Sequence, residues 1–195
     1  MTETKRQVQK KLTRKHLIET AIKEYSEKGF LKTKTADIAE AANVSHGTLF
    51  VHFPTQEELF IAVIEEFGSR ISSRLHELAS TDSNLVEVLK AHLAGLTEYE
   101  KFYTNLIIER RLLPEEVSST YILIQSTISF HISIAAEKEI KHGNIRNIPI
   151  HLIYNNWVGL IHYYLTNSDL FSPDSSVLKR YGDELINYYI NLIKI

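Results

Sequence analysis

Apolar residues recur at intervals of three and four along most of the chain, which is the spacing of an amphipathic helix. Three stripes are clear: Leu17, Ala21 and Tyr25; Leu85, Leu89, His92, Leu96 and Tyr99; and Leu178, Tyr181, Leu185, Tyr188 and Leu192. We therefore predict an all-α fold of nine helices, over residues 5–28, 35–42, 46–52, 55–80, 84–100, 102–112, 116–141, 149–166 and 174–193.

One segment carries a competing signal. Between Ile128 and Ile134, apolar residues alternate with Ser and His, a period-two pattern that is typical of a strand. The same segment also fits helical steps through Ile124, His131 and Ala135, and no partner strand is evident elsewhere in the sequence. We interpret it as helix.

The composition agrees with a helical domain. The 195 residues include only 7 Gly and 4 Pro, which disfavours collagen-like and turn-dense all-β architectures. Each proline lies where a predicted helix can begin, a position at which its missing N–H has no helical partner: Pro54, Pro114, Pro149 and Pro173. The absence of Cys excludes disulfides, zinc thiolates and a cysteine nucleophile.

Targeting signals are not expected. The first 16 residues carry six Lys or Arg and no apolar core, unlike a secretory signal. The longest apolar run, Leu59 to Ile64, is far shorter than the roughly 20 residues of a membrane span. We expect a cytoplasmic protein that makes no membrane contact.

The net charge of −2 conceals an asymmetry. Residues 1–56 hold ten basic and six acidic side chains, whereas residues 57–195 hold 12 and 18. The N-terminal part is therefore at +4 and the remainder at −6. Such a division favours nucleic-acid contact by the basic part, although a solvated basic helix would look the same.

The segment 35–53 reads as two short helices joined by a tight turn. Thr35 is expected to cap the first helix, and Ile38 faces inward. Asn43 suits the left-handed residue of the turn, and Ser45 can cap the second helix. This pattern describes either a helix-turn-helix or an ordinary helical corner.

Several motifs between Arg14 and Phe60 agree at once with one family. They are Gly29-Phe30, Thr33 to Thr35, Ile38-Ala39, Val44-Ser45, Gly47-Thr48-Leu49-Phe50, His52-Phe53 and Glu57-Glu58-Leu59-Phe60. On these residues the chain resembles the DNA-binding domain of TetR-family transcriptional regulators. The resemblance covers about a quarter of the chain. It implies a homodimer whose second short helix enters the major groove of a palindromic operator, and a C-terminal domain that binds a small molecule.

The resemblance divides the chain into a DNA-binding domain, 1–54, and a ligand-binding and dimerisation domain, 55–195. The sequence departs from the family pattern at Asn43, which replaces a common Gly, at Phe50, which replaces Tyr, and at Gln56, which replaces Lys. The predicted DNA-binding residues are Lys32, Lys34, Thr35, Ser45, His46, Gly47, Thr48, Phe50 and His52.

Aromatic residues and two histidines on apolar stripes suggest a pocket in the C-terminal part. Buried aromatics with a few polar groups suit a small apolar or aromatic ligand. The predicted ligand-binding residues are His92, Tyr99, Phe102, Tyr103, Phe130, His131 and Trp157. A histidine on an apolar face is equally an ordinary core residue, so a plain core is the alternative.

The helix predicted over 149–166 is apolar on nearly every side and needs cover on two faces. Pairing it and the last helix with the same helices of a second copy would provide that cover. The predicted dimer-interface residues are Trp157, Ile161, Tyr164, Tyr181, Leu185, Tyr188 and Leu192. Alternatively, one face covers the pocket and the other packs internally.

Taken together, these features predict a ligand-responsive DNA-binding repressor that is not an enzyme. The nine His residues are scattered, and neither HExxH, a Gly-rich phosphate loop nor a nucleophile elbow occurs, so no metal or cofactor is expected. Two alternatives stay open: a helical adaptor whose N-terminal domain no longer reads DNA, and an enzyme that uses the pocket histidines.

Overall fold

The computed structural model describes residues 4–78 and 83–195, and the regular elements of this part of the chain are helices, apart from one isolated antiparallel bridge between Ile145 and Lys194. A 3₁₀ turn, Arg110–Leu112, follows the sixth helix. No helix within the described ranges is long and apolar enough to cross a membrane. The helices are α1 (Lys5–Lys28), α2 (Thr35–Ala41), α3 (His46–His52), α4 (Gln56–Leu78), α5 (Leu85–Glu98), α6 (Glu100–Glu109), α7 (Glu115–Lys141), α8 (Ile150–Thr166), α9 (Ser168–Phe171) and α10 (Val177–Ile193).

The all-α prediction is confirmed, but the predicted number of helices is one too low for the described residues. The additional helix is α9, a single turn that is too short to leave a periodic apolar pattern. Its Phe171 ring stacks on Tyr164 with ring centroids 4.3 Å apart and also contacts Tyr181. Residues 79 and 80, which end the helix predicted over 55–80, lie outside the described residues.

The strand-like segment is helical and lies inside α7. Ile128 and Ile132 are buried, whereas Phe130 is 63% exposed and Ile134 is also exposed. The alternating apolar residues therefore lie on opposite faces of one helix. The strand-like pattern arises because Phe130 and Ile134 are apolar although they face solvent.

The chain forms two compact units. The first unit runs up to Phe67 and includes Lys101–Tyr121, while the second comprises Gly68–Glu100 and Ile122–Ile195. These bounds are not those of the predicted domains, 1–54 and 55–195. The first unit contains the three N-terminal helices, the first half of α4, all of α6 except Glu100, and the start of α7.

Aromatic rings dominate the core of the first unit. Tyr25 stacks on Phe30 with centroids 4.6 Å apart, and Phe30 contacts Phe102 at 5.2 Å. Phe102 in turn contacts Phe67, which stacks on Tyr103. All five side chains are buried, so residues far apart in sequence share one core.

The second unit brings helices together at two glycines. A Cβ on Gly182 of α10 would lie 2.5 Å from Leu93 Cδ2 of α5. A Cβ on Gly68 would lie 2.5 Å from Cγ1 of Ile124 on α7. Helix α4 continues through Gly68, so this glycine does not break the helix. Its missing side chain instead lets α4 and α7 pack closely.

Candidate nucleic-acid interface

The turn between α2 and α3 has the geometry of a helix-turn-helix. Asn43 adopts a φ of 54°, in the left-handed region, and no other non-glycine residue in the described chain has a positive φ. The Val44 N–H donates to the Ala39 carbonyl at 3.0 Å, which closes the end of α2. Asn43 therefore plays the part predicted for it, because Asn tolerates this conformation better than most residues.

Ser45 caps α3 as predicted. Its hydroxyl accepts from the Thr48 N–H at 3.1 Å and lies 2.8 Å from the Thr48 hydroxyl. Together the two hydroxyls close the first turn of α3. The Thr48 N–H is consequently satisfied within the helix and is not an open donor for phosphate.

The predicted cap of α2 is wrong. Lys34 occupies the N-cap position, and its backbone N–H donates to the Asp37 carboxylate at 2.9 Å. Thr35 is the first residue of α2, and its hydroxyl lies 3.0 Å from His46 Nε2. The side chains of Thr35 and His46, the first residues of α2 and α3, therefore link the beginnings of the two helices.

One face of α3 is open to solvent. Leu49 is buried, whereas His46, Gly47, Phe50 and Val51 are exposed. Val51, at 69% exposure, is the most exposed of these apolar side chains and is absent from the predicted site. The spacing of four between Gly47 and Val51 places both residues on one face of α3.

Gly47 is not required by the fold. A Cβ at this position would meet only the Ser45 hydroxyl, at 3.8 Å, and its φ is not in the left-handed region. A helical glycine with free space around it costs stability relative to alanine. Close approach of another molecule to the α3 backbone would be a reason for glycine at position 47.

Basic side chains of α1 lie beside the C-terminal end of α3. The Arg14 guanidinium lies 4.6 Å from the centre of the Phe53 ring. Burial and the charges of Lys10 and Arg14 lower the pKa of His52 below its ordinary value. His52 is thus neutral at pH 7, and its buried Nδ1 has no hydrogen-bond partner.

A second pair of basic residues lies in the loop between α1 and α2. Lys32 and Lys34 are both exposed. The loop itself is held by Thr33, whose buried hydroxyl donates to the Gly29 carbonyl at 2.6 Å. Gln56 Nε2 lies 3.4 Å from the Thr33 carbonyl, so this amide is directed at the protein.

All nine predicted DNA-binding residues fall in the first unit. They lie on α2, on α3 or in the residues that precede these helices, and each is exposed or half-buried. The structure therefore brings the predicted residues together around the helix-turn-helix, and the exposed side chains of Val51, Lys10 and Arg14 lie beside them.

The predicted ligand-binding residues are divided between the two units. Phe102 and Tyr103 lie in the aromatic core of the first unit. The second unit holds the others: His92, Tyr99, Phe130, His131 and Trp157. They do not all converge on one place.

His92 and Trp157 satisfy each other inside the second unit. The Trp157 indole N–H donates to His92 Nδ1 at 3.1 Å, and both side chains are buried. Burial lowers the pKa of His92 to about 4, so the imidazole is neutral at pH 7. Such a bonded pair is the arrangement expected of a core histidine.

The remaining predicted residues of this set have other surroundings. His131 lies edge-on to His76, with ring centroids 4.9 Å apart, and the Arg70 guanidinium lies 3.3 Å from the Tyr99 hydroxyl. A groove of about 340 Å³ occurs elsewhere in the second unit. It contains none of the predicted residues and is lined by Asn84, Leu85, Val86, Glu139, Asn144, Ile145, Ile190 and Lys194.

The predicted dimer residues differ in exposure. Trp157, Ile161 and Leu185 are buried within the unit itself. Tyr164 and Tyr181 are half-buried beside Phe171 of α9, as described above. Tyr188 and Leu192 are exposed on α10. Helix α8 also exposes Leu152, Gly159 and Tyr163, which are not among the predicted interface residues.

Comparison with known families identifies the helix-turn-helix segment. The sequence profile of "Bacterial regulatory proteins, tetR family" matches residues 17–63. This range contains α2, α3, the turn between them and the first part of α4.

Similar proteins include transcriptional repressors. The chain is 25% identical over 144 residues to the HTH-type transcriptional repressor AcnR of Corynebacterium glutamicum, covering 73% of this chain and 74% of that protein. It is 33% identical over 90 residues to the probable acrEF/envCD operon repressor of Escherichia coli, but these residues span only 34% of that repressor.

Solved structures share the fold over nearly the whole chain. A transcriptional regulator of the TetR family from Agrobacterium tumefaciens superposes with a TM-score of 0.79 at 14% identity, covering 95% of this chain and all of that one. At this identity the likeness concerns the fold alone.

Proposed function

We propose that the chain, whose residues 17–63 match the TetR-family profile and whose similar proteins include transcriptional repressors, is a homodimeric DNA-binding repressor released from a palindromic operator by a small molecule. The proposal includes a cytoplasmic location and no catalytic activity. It also assigns DNA binding to residues 1–54 and ligand binding and dimerisation to residues 55–195.

The exposed face of α3 carries this proposal. His46 presents a polar edge, Gly47 a bare backbone, and Phe50 and Val51 apolar surface. Polar groups can bond base edges in the major groove, and apolar groups can contact thymine methyl groups. The α3 face therefore suits base readout rather than phosphate contact.

Exposed basic residues supply the sequence-independent part of binding. Lys10, Arg14, Lys32 and Lys34 are all exposed around the helix-turn-helix. Neutralising phosphates with such side chains releases counterions, so affinity falls as salt rises. Gln56 contributes no charge and is bonded to the loop, in keeping with its departure from the family's usual Lys.

Two copies are needed to read a palindrome. Exposed apolar side chains on α8 and α10, including Leu152, Tyr163, Tyr188 and Leu192, give a surface that a second copy can cover under two-fold symmetry. Gly159 is exposed on α8 with no atom within 4 Å of a Cβ, so helices can approach closely there. Two recognition helices would then lie about one helical turn of DNA apart.

The ligand assignment rests on fewer observations. A small apolar or aromatic ligand suits the aromatic content of the second unit. His92 and Trp157 are two of the predicted ligand-binding residues that carry polar groups, and a ligand that reached them would have to replace their mutual hydrogen bond.

Selection of bound duplexes from a random pool by the purified full chain, followed by sequencing, tests the proposal. We expect a two-fold symmetric motif, bound with an affinity that falls by about one decade per tenfold salt for each phosphate neutralised. The same selection is then repeated with the double variant His46→Ala/Val51→Ala. This variant should retain the fold and enrich no motif. Enrichment of no sequence, or an unchanged motif with the variant, would contradict the assigned site.

A further inference from the structure

We propose that His76 of α4 and His131 of α7 form a binding site for a divalent transition-metal ion of the Zn²⁺ class. The two imidazole rings meet with their centroids 4.9 Å apart. Both residues belong to the second unit, and they lie on different helices, so no sequence motif contains the pair. Imidazole nitrogen is a preferred ligand of Zn²⁺, Ni²⁺ and Cu²⁺ in proteins.

The separation of the rings is that of two ligands on one ion. With Zn–N bonds of about 2.0–2.1 Å and ring nitrogens about 1.2 Å from the ring centre, two coordinated imidazoles have centroids about 4.5–5.4 Å apart for N–Zn–N angles of about 90–109°. The observed 4.9 Å lies within this range. The two helices therefore hold the rings at the spacing that a single ion needs.

A hydrogen bond within α4 sets the tautomer of His76. Its Nδ1 lies 2.7 Å from the Ser72 carbonyl oxygen. Because a carbonyl can only accept, Nδ1 carries the proton, and the lone pair of the neutral ring is on Nε2. Donation by the other ring nitrogen to a backbone carbonyl is the arrangement that orients metal-bound histidines. His76 is exposed, so an ion in solution can reach this ring.

The His131 ring can turn toward such an ion. Within the described part of the chain its side chain makes no hydrogen bond, and its ring contacts are with His76 and Phe130. The two histidine rings meet edge-on at 83°, and the terminal torsion of a histidine is soft, so rotation about Cβ–Cγ brings a nitrogen of His131 toward the ion. Burial lowers the pKa of His131, and the adjacent His76 adds to this effect, so the ring is neutral at pH 7, as a metal ligand must be.

Close packing fixes α4 and α7 against each other near the histidine pair. About two helical turns earlier, a Cβ on Gly68 would lie 2.5 Å from Cγ1 of Ile124. From this crossing both helices run on in the same chain direction, α4 to His76 and α7 to His131. Little ordering of the backbone is consequently needed when the ion binds, and the ion adds a second link between the two helices.

The surroundings set the expected strength of binding. No group of three or more His, Cys, Asp or Glu side chains that could hold a metal occurs among the described residues, so water completes the coordination. The positive charge of Arg74, two residues before His76, is compensated by ion pairs with Glu77 and Glu98. With two protein ligands we expect a Zn²⁺ dissociation constant on the order of 10 µM, weaker than that of a structural zinc site.

Calorimetric titration of the full chain with ZnCl₂ at pH 7.5 tests the site. We expect one Zn²⁺ ion per chain, whereas Mg²⁺, which prefers oxygen ligands, should not bind. His76→Gln and His131→Gln should each raise the dissociation constant at least about 10-fold. The double variant should lie within about twofold of the weaker single variant, because chelation is already lost when one ring is missing.

The matched control is His151→Gln, which removes an exposed imidazole from α8 of the same unit. It should leave the dissociation constant unchanged. Zinc should also raise the thermal unfolding midpoint of the wild type and of this control, and it should do so much less in the variants of His76 and His131. Equal zinc binding by the wild type and all variants, or binding only at millimolar zinc, would overturn the proposal.

Nitrogen-15 spectra of the histidine rings test the site in the unsubstituted protein, so the result does not depend on how well a variant folds. On addition of zinc we expect a large shift of Nε2 of His76, while its Nδ1 stays protonated because it donates to Ser72. A nitrogen of His131 should shift at the same zinc concentration. Shifts confined to other histidines, or titration of the two rings at different zinc concentrations, would show that they do not share an ion.

Discussion

Val51 is a large apolar side chain that the folded protein leaves in water. At 69% exposure it contributes little to the core, although it lies on the helix that also carries the buried Leu49. Substitution of such a residue ordinarily changes stability by less than about 0.5 kcal/mol. It lies beside Gly47 and Phe50 on the face of α3 to which we assign base contact.

For Val51→Ser we expect weaker operator binding, by about 1–2 kcal/mol, because an apolar contact with a base edge is lost. The free energy of unfolding should stay within about 0.5 kcal/mol of wild type. Calorimetric titration of each protein with the selected duplex measures the free energy of binding. The control is Leu170→Ser on α9, a side chain that is 71% exposed in the second unit. Equal binding losses in both variants would argue against base contact by Val51.

His92 makes stability depend on pH. Its pKa is about 4 in the folded chain against an ordinary value of 6.5, because burial disfavours the charged imidazole. Between these two values the unfolded chain binds a proton that the folded chain does not. The stabilisation is therefore complete above about pH 6.5 and is lost as the pH falls towards 4.

We expect this histidine to account for about 3 kcal/mol of stability lost between pH 7 and 4. Urea unfolding of wild type and of His92→Gln, followed by circular dichroism across this range, measures the difference. Gln can still accept from the Trp157 N–H but does not titrate, so the variant should lose less stability on acidification. His142→Gln, which removes an exposed imidazole, is the control. Parallel curves for wild type and His92→Gln would contradict the prediction.

Among the helices, α4 and α7 meet where a glycine leaves no space. A Cβ at Gly68 would lie 2.5 Å from Ile124 Cγ1, and a β-branched side chain has little freedom to withdraw. We expect Gly68→Ala to destabilise the protein by about 1–3 kcal/mol, as overpacking does elsewhere. Urea unfolding provides the measurement.

The control for this prediction is Gly47→Ala, also within a helix but with free space around the added methyl group. Its stability should be unchanged or higher by up to about 1 kcal/mol, because alanine favours the helix. Replacing Ile124 by Ala in the Gly68→Ala background should restore part of the loss. Identical stabilities of the two glycine variants would show that the α4–α7 crossing can open without cost.

The helices were largely predictable because their apolar spacing is local information. The segment from Ile128 to Ile134 shows the limit of that information, since only burial distinguishes its inner from its outer apolar residues. The carboxylates of Glu100 and Glu109 show a second limit. Their hydrogen-bond donors lie between 76 and 79 residues away in the chain, so in the sequence they look like ordinary solvated charges.

The helix-turn-helix was predictable for a related reason. Asn43 and Ser45 act within a few residues of their own positions, and local sequence specifies such turns and caps. Trp157, by contrast, was predicted both as ligand-binding and as dimer-forming, yet it is fully buried and bonded to His92. An apolar stripe does not reveal which neighbour will cover it.

At the scale of the whole molecule, the proposed two-fold dimer can be tested at one side chain. We expect Tyr188→Glu to weaken dimerisation by more than about 2 kcal/mol, because each charge would be buried without a partner and the symmetry repeats it. Sedimentation over a range of protein concentrations measures the dissociation constant. Tyr188 is 58% exposed in the single chain, so the variant should fold normally.

The control for the dimer is Leu123→Glu, a similarly exposed apolar position on α7. It should leave the dissociation constant unchanged. Affinity for a palindromic duplex should fall in Tyr188→Glu, while affinity for a single half-site should not. If Leu123→Glu dissociates the protein and Tyr188→Glu does not, the interface lies on α7.

The burial of Trp157 also gives the molecule an optical reporter of its own. It is the sole indole in the chain, it is fully enclosed in the second unit, and its ring contacts Tyr189 with centroids 5.4 Å apart. Emission excited at the red edge of the protein's absorption band therefore arises from one site. A small molecule that opens the Trp157–His92 bond should change the colour and lifetime of that emission, so candidate effectors can be screened on the unlabelled protein.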